Sequence, residues 1–361
     1  MTRVPPVKVV RAATAVRTAL QTLTRRMVPP EIGLLELASG FMGTHVVYAV
    51  AKLGIADVLA DGPLSADEIA AETGSNADAT HRLLRAGAMF GIFTERSGKR
   101  YGLTALGKGL RSGTPGSLRP VVLMLGDPQY QGPWGRLAHS VETGGPAVEV
   151  APGKQVWDYL DADPEFAATF NEAMTCLTDL DWPAVAAAYD FTPYSTIADL
   201  GGGHGQLLAL VLGAAPKSKG VLQEREVLVG AAEAHLRDAG LLDRCRIDSG
   251  SFFDTAPSDA DLYLMRRVLH DFDDEQAVAI LSNVRRHMPR GSTLLLLDSV
   301  VPPGSTPHFA KALDLDMMLF VGGRERTERQ FGTLLDRAGF RLTRIVPTVS
   351  SVSLIEAVPG R

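Results

Sequence analysis

The amino-acid sequence predicts an α/β fold in which a mostly parallel sheet of seven strands follows an N-terminal α-helical module. Two observations support this architecture. In the second half of the chain, short apolar runs alternate with helical segments, which is typical of parallel strands joined by helices. In the first half, apolar residues instead recur at three-to-four spacing, which predicts helices. The length of 361 residues is enough for about two domains.

The composition excludes several classes of protein. The chain is 45% hydrophobic and 21% charged, which is ordinary for a globular protein. The apolar stretch around residues 207–215 is shorter than the ~18 residues of a membrane helix, so we expect no membrane span. The two cysteines, Cys176 and Cys245, offer neither a disulfide framework nor zinc spacing. We therefore expect no metal site and a reducing, cytoplasmic location.

The first 30 residues form a basic extension. This segment lacks the apolar core of a secretory signal, and we expect a helix that frays or docks on a partner. It contains no acidic residue, and its basic residues are Arg3, Lys8, Arg11, Arg17, Arg25 and Arg26.

Residues 31–118 are predicted to form a winged-helix module. Apolar residues recur at helical spacing across residues 46–59, and Ser65 and Glu68 have the spacing of a capping box at the start of the next helix. A third helix follows, and then a short hairpin that turns at residues 97–99. Because the apolar stripe at 46–59 exceeds what so small a module can bury, it predicts a dimer interface.

The rest of the chain divides into a helical connector or substrate lid, residues 119–188, and a sheet domain, residues 189–361. The last two predicted strands are joined by a short connection around residues 347–350, which is too short for a crossover helix, so they should pair antiparallel at the sheet edge. We expect the strands near Ile197–Leu200, Gly220–Leu222, Arg246–Ser249, Leu262–Met265, Leu294–Asp298, Leu342–Val346 and Ser353–Ala357.

The turn after the first sheet strand is a candidate nucleoside site. Gly201, Gly202 and Gly203 let the backbone approach a ligand closely, and the helix that follows offers free amides. Glu224, at the end of the second strand, is suited to accept both ribose hydroxyls. Asp199 would repel a pyrophosphate but could meet an ammonium group. The pattern therefore favours an amino-acid-bearing nucleoside over a dinucleotide, and a plain tight turn is the alternative.

Four motifs in order resemble the S-adenosylmethionine-dependent O-methyltransferases of the caffeic acid and hydroxyindole type. They are Asp-Leu-Gly-Gly-Gly-His-Gly at 199–205, Leu-Met-Arg-Arg-Val-Leu-His-Asp-Phe at 264–272, Leu-Leu-Asp at 296–298 and Gly-Gly-Arg-Glu-Arg-Thr at 322–327. Bacterial members of that family modify polyketides and other aromatic secondary metabolites. The resemblance implies a Rossmann-like class I methyltransferase sheet, S-adenosylmethionine as cofactor, and a homodimer formed through the N-terminal module.

The resemblance also implies cofactor contacts at matching positions. Gly201 and its neighbours would line the methionine end, Glu224 would hold the ribose, and Ser251 and Phe252 would flank the adenine. Arg266 stands where the family usually has lysine. The segment around Glu224 lacks the family's usual proline, and Ser251 replaces a common adenine-binding aspartate. These departures put the affinity for the cofactor in question rather than its identity.

By the same resemblance, His270 is the general base, flanked by the acids Asp298 and Glu325. From the residues alone, a histidine here could be structural and each acid could be solvated or salt-bridged. Asp271 could contact substrate or cap the next helix. Three apolar residues match or adjoin pocket positions of the family, with core packing as the alternative: Met174, Met317 and Phe320.

The cost of proton transfer limits the acceptor. A phenol with a pKa of about 10 gives its proton to an imidazole of about 6.5 at a cost of roughly 5 kcal/mol, whereas an aliphatic hydroxyl near 15 would cost about 12 kcal/mol. Carboxylates beside His270 can offset the first cost but hardly the second. We therefore predict a phenolic or enolic hydroxyl on an aromatic or polyketide-like small molecule.

Two other functions fit parts of the sequence. A winged helix could bind DNA in a regulator, but this one has few basic residues among several acidic ones, so we expect no nucleic acid. A relative could also bind S-adenosylmethionine without transferring its methyl group, in hydroxylation or decarboxylation. The complete set of His270, Asp298 and Glu325 favours transfer, while the acceptor atom, oxygen rather than nitrogen or carbon, stays open.

Overall fold

A computed structural model describes residue 5, residues 7–148 and residues 156–360. Arg3 of the basic extension lies outside the described residues. The chain forms two compact units. We call them the sheet unit, which is mainly Thr178–Arg361 with Arg136–Val156 and the start of the chain, and the helical unit, Ala19–Gly135 with Trp157–Leu177. The predicted connector at 119–188 is thus shared between the units, and the four-part division of the chain stays a prediction.

The elements before the large sheet are mostly helical. In chain order they are α1 (Val7–Arg26), α2 (Pro30–Ala38), α3 (Phe41–Lys52), α4 (Ile55–Val58), β1 (Leu64–Ser65), α5 (Ala66–Thr73), α6 (Ala77–Met89), β2 (Phe93–Arg96), β3 (Arg100–Leu103), α7 (Ala105–Lys108), α8 (Arg119–Gly126), α9 (Pro128–Trp134), α10 (Leu137–Thr143), α11 (Val156–Asp161) and α12 (Pro164–Ala188).

Strands and helices alternate after α12. They are β4 (Thr196–Leu200), α13 (Gln206–Ala214), β5 (Lys219–Glu224), α14 (Glu226–Asp238), β6 (Cys245–Ser249), β7 (Leu262–Arg266), α15 (Asp274–His287), β8 (Thr293–Asp298), α16 (Ala310–Phe320), α17 (Glu328–Arg337), β9 (Phe340–Pro347) and β10 (Ser353–Pro359), with 3-10 turns at Leu242–Arg244 and Leu269–Asp271.

A capping box fixes the start of α5. The Ser65 hydroxyl accepts a hydrogen bond from the Glu68 amide at 3.3 Å, and the Glu68 carboxylate accepts one from the Ser65 amide at 2.6 Å. This capping box begins α5 where it was predicted. The predicted hairpin is β2–β3, to which β1 adds a third antiparallel strand.

The apolar stripe at residues 46–59 packs inside the helical unit, so it is not the exposed surface that we expected. Val50, Ile55 and Leu59 lie in the core of the unit. Six of the exposed large apolar side chains lie just before the stripe, on α2 and the start of α3. They are Ile32, Leu34, Leu35, Leu37, Phe41 and Met42.

One described stretch, Pro30–Lys52, is long and apolar enough to cross a membrane by length and composition only. This stretch is longer than the apolar run at residues 207–215 on which the expectation of no membrane span was based. Only 11% of its apolar window is buried. A helix of this kind is by itself weak evidence of a membrane span, and the helix is interrupted at residues 39–40, between α2 and α3.

All seven predicted sheet strands are present, in the order β6-β5-β4-β7-β8-β10-β9. Six strands run in the same direction, and β10 alone is antiparallel, paired with both β8 and β9. The short connection required its pairing with β9. The inner strands β7 and β8 are continuously apolar and buried, which is expected when helices cover both faces. The carboxyl ends of β4, β5, β7 and β8 meet at one edge, where open α/β sheets bind ligands.

Candidate active site

The glycine turn follows β4 at this edge. Gly201, Gly203 and Gly205 have φ values of 69°, 59° and 81°, in the left-handed region that favours glycine. A Cβ atom on Gly202 would collide with the carboxylate of Asp199. The turn therefore needs glycine for its backbone conformation and for the close approach of Asp199.

Glu224 joins the turn to the end of β5. Its Oε2 accepts a hydrogen bond from the amide of Gly203 at 2.8 Å, and its Oε1 accepts one from the amide of Arg225 at 2.8 Å. The amide of Gly201 donates to the carbonyl of Gln223 at 2.8 Å. The carboxylate is thus held beside the glycine turn, as a contact to a ribose on that turn requires.

Asp199 is fully buried, and neither of its oxygens has a well-formed hydrogen bond among the described residues. Burial raises its pKa to about 7, and the nearby charge of Glu224 adds to this effect. A buried acid of this kind fits a cationic group such as the ammonium of a methionine moiety. The donors and acceptors at this edge therefore fit an amino-acid-bearing nucleoside.

Arg266, at the end of β7, forms an ion pair with an acid on α12. It donates to Asp181 on α12 at 2.8 Å. Burial and the neighbouring charge of Arg267 lower its pKa. Arg266 therefore contributes a buried cation near the cofactor edge, and Asp181, which the sequence analysis did not single out, is its partner.

The adenine candidates follow β6. Phe252 is half-buried and its ring packs edge-on against Phe272, with centroids 5.9 Å apart. The Phe252 ring also faces the glycine turn, since a Cβ atom on Gly201 would lie 3.2 Å from it. Ser251 is exposed, and its hydroxyl accepts a hydrogen bond from the amide of Phe253 at 3.2 Å. Phe252 is thus the adenine candidate that lies against the turn.

His270 lies in the 3-10 turn after β7 and is 7% exposed. Its Nδ1 lies 2.7 Å from Oε1 of Glu325, and its Nε2 lies 3.5 Å from Oδ1 of Asp271. When Glu325 is ionised, Nδ1 donates the proton of that hydrogen bond, which leaves Nε2 as the basic nitrogen. The pair is therefore built as a histidine oriented by a carboxylate.

Three acids surround this histidine, of which Asp298 and Glu325 are buried and Asp271 is half-buried. Burial raises the pKa of Asp271 and of Glu325 to about 7, and that of Asp298 to about 6. Asp298 is fully buried, and among the described residues its oxygens have no hydrogen-bond partner. Glu325 thus contacts His270 directly, whereas Asp298 acts on it through charge.

The segment that carries Glu325 packs tightly on the histidine turn. A Cβ atom on Gly323 would collide with the carbonyl of His270, and the amide of Arg324 donates to that carbonyl at 2.8 Å. Arg326 is 1% exposed and binds the same turn. The sequence analysis assigned no role to Gly323 or Arg326. Their one sequence signal is their place in the Gly-Gly-Arg-Glu-Arg-Thr motif.

The pocket candidates fall in both units. Met317 is buried and Phe320 half-buried on α16 of the sheet unit, and the carbonyl of Met317 accepts hydrogen bonds from the amides of Val321 and Gly323. Met174 lies on α12 in the part that belongs to the helical unit. Across the described residues, no group of three or more His, Cys, Asp or Glu side chains is suited to a metal ion.

Comparisons with known proteins identify the domains of this chain. A model of the O-methyltransferase domain matches residues 134–341, and a model of the O-methyltransferase dimerisation domain matches residues 35–112. The phenazine O-methyltransferase of Lysobacter antibioticus is 42% identical over 332 residues, which are 92% of this chain and 97% of that protein.

Two further similar proteins have names that state other methyl acceptors. The 8-amino-8-demethylriboflavin N,N-dimethyltransferase of Streptomyces davaonensis is 38% identical over 316 residues, 86% of this chain and 90% of that protein. The crystal structure of human N-acetylserotonin methyltransferase in complex with S-adenosylmethionine has a TM-score of 0.85 and 27% identity, and covers 92% of this chain and 99% of that chain.

Proposed function

Since the chain belongs to the S-adenosylmethionine-dependent O-methyltransferase family, we propose that it methylates a phenolic or enolic hydroxyl of a fused-ring aromatic molecule, with His270 as general base. S-adenosylmethionine is the cofactor, and when bound it supplies an electrophilic methyl group. Glu224 would hold its ribose and Asp199 its ammonium group. The glycine turn would let the main chain approach the cofactor closely.

The observation that carries the proposal is the hydrogen bond between Nδ1 of His270 and Glu325. When Glu325 is ionised, this bond keeps a proton on Nδ1, so Nε2 has a lone pair for the acceptor's hydroxyl proton. The imidazolium that forms is stabilised by the charges of buried Glu325 and half-buried Asp271. Asp298 adds a third negative charge near the imidazolium but makes no hydrogen bond to it.

Fused-ring acceptors are favoured by two lines of support. The names of two relatives specify a phenazine and a flavin, which are both fused aromatic systems. Met317 and Phe320 offer apolar surface on α16. An arylamine is the second candidate acceptor, because the flavin relative transfers methyl groups to nitrogen.

The test is incubation with methyl-labelled S-adenosylmethionine and matched pairs of acceptors that carry a hydroxyl or an amine at the same ring position. Mass spectrometry then identifies the product. We expect the label on oxygen. The His270→Ala variant should form this product much more slowly than the wild type. Label on nitrogen alone would replace the hydroxyl acceptor by an amine, and no labelled product from any aromatic acceptor would contradict the proposal.

Replacing Glu224 by alanine should weaken cofactor binding by roughly 1.5 to 3 kcal/mol, because two ribose hydroxyls lose a charged acceptor. Calorimetry with S-adenosylhomocysteine measures the change. Glu226→Ala is the matched control, since this exposed glutamate lies two residues further on, at the start of α14. We expect unchanged affinity in the control, and equal affinity in both variants would place the ribose elsewhere.

We also propose that the enzyme is a homodimer, with the exposed apolar residues of α2 and the start of α3 at its interface. The dimerisation match at residues 35–112 includes part of this surface. An obligate interface buries upward of about 2,000 Å² and is rich in apolar residues. The exposed fractions of Leu35 and Leu37, 64% and 72%, are typical of side chains that a second chain would cover.

The double substitution Leu35→Asp and Leu37→Asp should convert the dimer to a monomer at micromolar concentration, because it would bury four uncompensated charges per dimer. Light scattering measures the mass. Val227→Asp, at an exposed valine on α14 of the sheet unit, is the control and should remain dimeric. A wild-type chain that is monomeric at this concentration would contradict the proposal.

A further inference from the structure

We propose that Arg326 is a positioning residue of the reaction, which fixes the turn that carries His270. Its guanidinium group donates from Nη1 to the carbonyl of Leu269 at 2.7 Å and from Nη2 to the carbonyl of Phe272 at 2.9 Å. These carbonyls lie on either side of His270 in the chain. One planar group therefore binds both ends of the turn.

The guanidinium group is itself held in place. Its Nε donates to Oδ1 of Asp274 at 3.0 Å, and the arginine side chain is 1% exposed, so the guanidinium group itself is shielded from solvent. The carbonyl of Arg326 accepts a hydrogen bond from the amide of Val301 at 3.0 Å, just beyond β8. The fork shape of arginine suits this set of acceptors, and lysine could not reproduce it.

The main chain just before Glu325 reaches the same turn. The amide of Arg324 donates to the carbonyl of His270 at 2.8 Å, while Gly323 leaves room for that carbonyl. The side chain of the next residue, Glu325, holds Nδ1 of His270 at 2.7 Å. Because Arg326 and Glu325 are adjacent, the residue that fixes the turn and the residue that orients the imidazole move together.

This arrangement has a consequence for the rate. A general base must lie within hydrogen-bond distance of the proton that it takes, and a displacement of about 1 Å can cost on the order of 100-fold. Without Arg326, the carbonyls of Leu269 and Phe272 lose a charged donor each, and the turn is held less firmly although the amide of Arg324 still binds the carbonyl of His270. Arg326 thus acts through His270, and this inference rests on the proposed role of His270 as base.

The test compares Arg326→Met with Arg324→Met. Arg324 is the matched control because its guanidinium lies near the same Asp274, at 3.5 Å, but is 49% exposed. Per folded molecule, we expect Arg326→Met to lower kcat at least 10-fold with little change in KM for S-adenosylmethionine. Arg324→Met should change kcat less than threefold.

A double variant separates positioning from a general loss of structure. In the His270→Ala background, adding Arg326→Met should lower kcat no further, since the group that it positions is gone. An equal further loss in that background would show that Arg326 acts independently of His270. A lower melting temperature with unchanged kcat per folded molecule would assign it a structural role only. If His270→Ala alone left turnover intact, the general-base proposal would fail instead.

Asp274→Asn keeps the inference testable if Arg326→Met does not fold. This change leaves the arginine and its two carbonyl bonds in place but removes the charge that holds Nε. We expect a threefold to tenfold loss of kcat, again absent in the His270→Ala background. A loss of the same size in both backgrounds would contradict the proposal.

Discussion

Replacing His270 by alanine should lower turnover by roughly 10² to 10⁴, the range that general bases contribute, and should leave cofactor affinity and folding nearly intact. The physical reason is that Nε2 is the one basic nitrogen oriented by the bond to Glu325. Steady-state kinetics and calorimetry with S-adenosylhomocysteine measure the two effects separately. His139→Ala, at an exposed histidine on α10, is the control and should retain full turnover.

The loss in His270→Ala should depend on the acceptor. A more acidic hydroxyl is already partly ionised near neutral pH, so its rate should fall less, and raising the pH should recover part of the activity of the variant. Equal loss across acceptors of widely different acidity, with no recovery at high pH, would mean that His270 positions the acceptor and does not take its proton. A structural histidine would lower the melting temperature and spare the rate per folded molecule.

Asp199→Asn should stabilise the cofactor-free protein above pH 7 and weaken cofactor binding at least tenfold. The pKa of Asp199 is raised from 3.8 to about 7 by burial. Between these values the folded state retains a proton that the unfolded state has lost, so stability falls as pH rises, by about 4 kcal/mol in all. The neutral amide avoids that cost but cannot pair with an ammonium group.

Thermal unfolding at pH 5 and pH 8, without cofactor, measures the stability effect. The difference between Asp199→Asn and the wild type should favour the variant more strongly at pH 8 than at pH 5. Asp238→Asn, at an exposed position on α14, should show no such dependence. A difference that is the same at both pH values would mean that Asp199 is already ionised without cost. Unchanged cofactor affinity would remove its proposed ammonium contact.

Much of the fold was predictable because its signals are short-range. Short apolar runs located all seven strands, and the short connection before β10 required the antiparallel pair of β9 and β10. The capping box at Ser65 and Glu68 marked the start of α5. The apolar stripe at 46–59 misled us about the exposed surface, because periodicity reveals an apolar face but not what covers it. Only the packing showed that the stripe lies in the core of the unit and that α2 is exposed.

The sequence by itself determined that this protein has a glycine turn, a histidine and several acids at the carboxyl ends of neighbouring strands, and so which residues are candidates. It did not determine which acid contacts the histidine. Glu325 reaches Nδ1 while Asp298 does not, and Arg326 binds both ends of the histidine turn. These contacts join residues more than 50 positions apart, so they depend on strand order, side-chain length and burial. Local pattern contains none of these quantities, and only the tertiary structure fixes them.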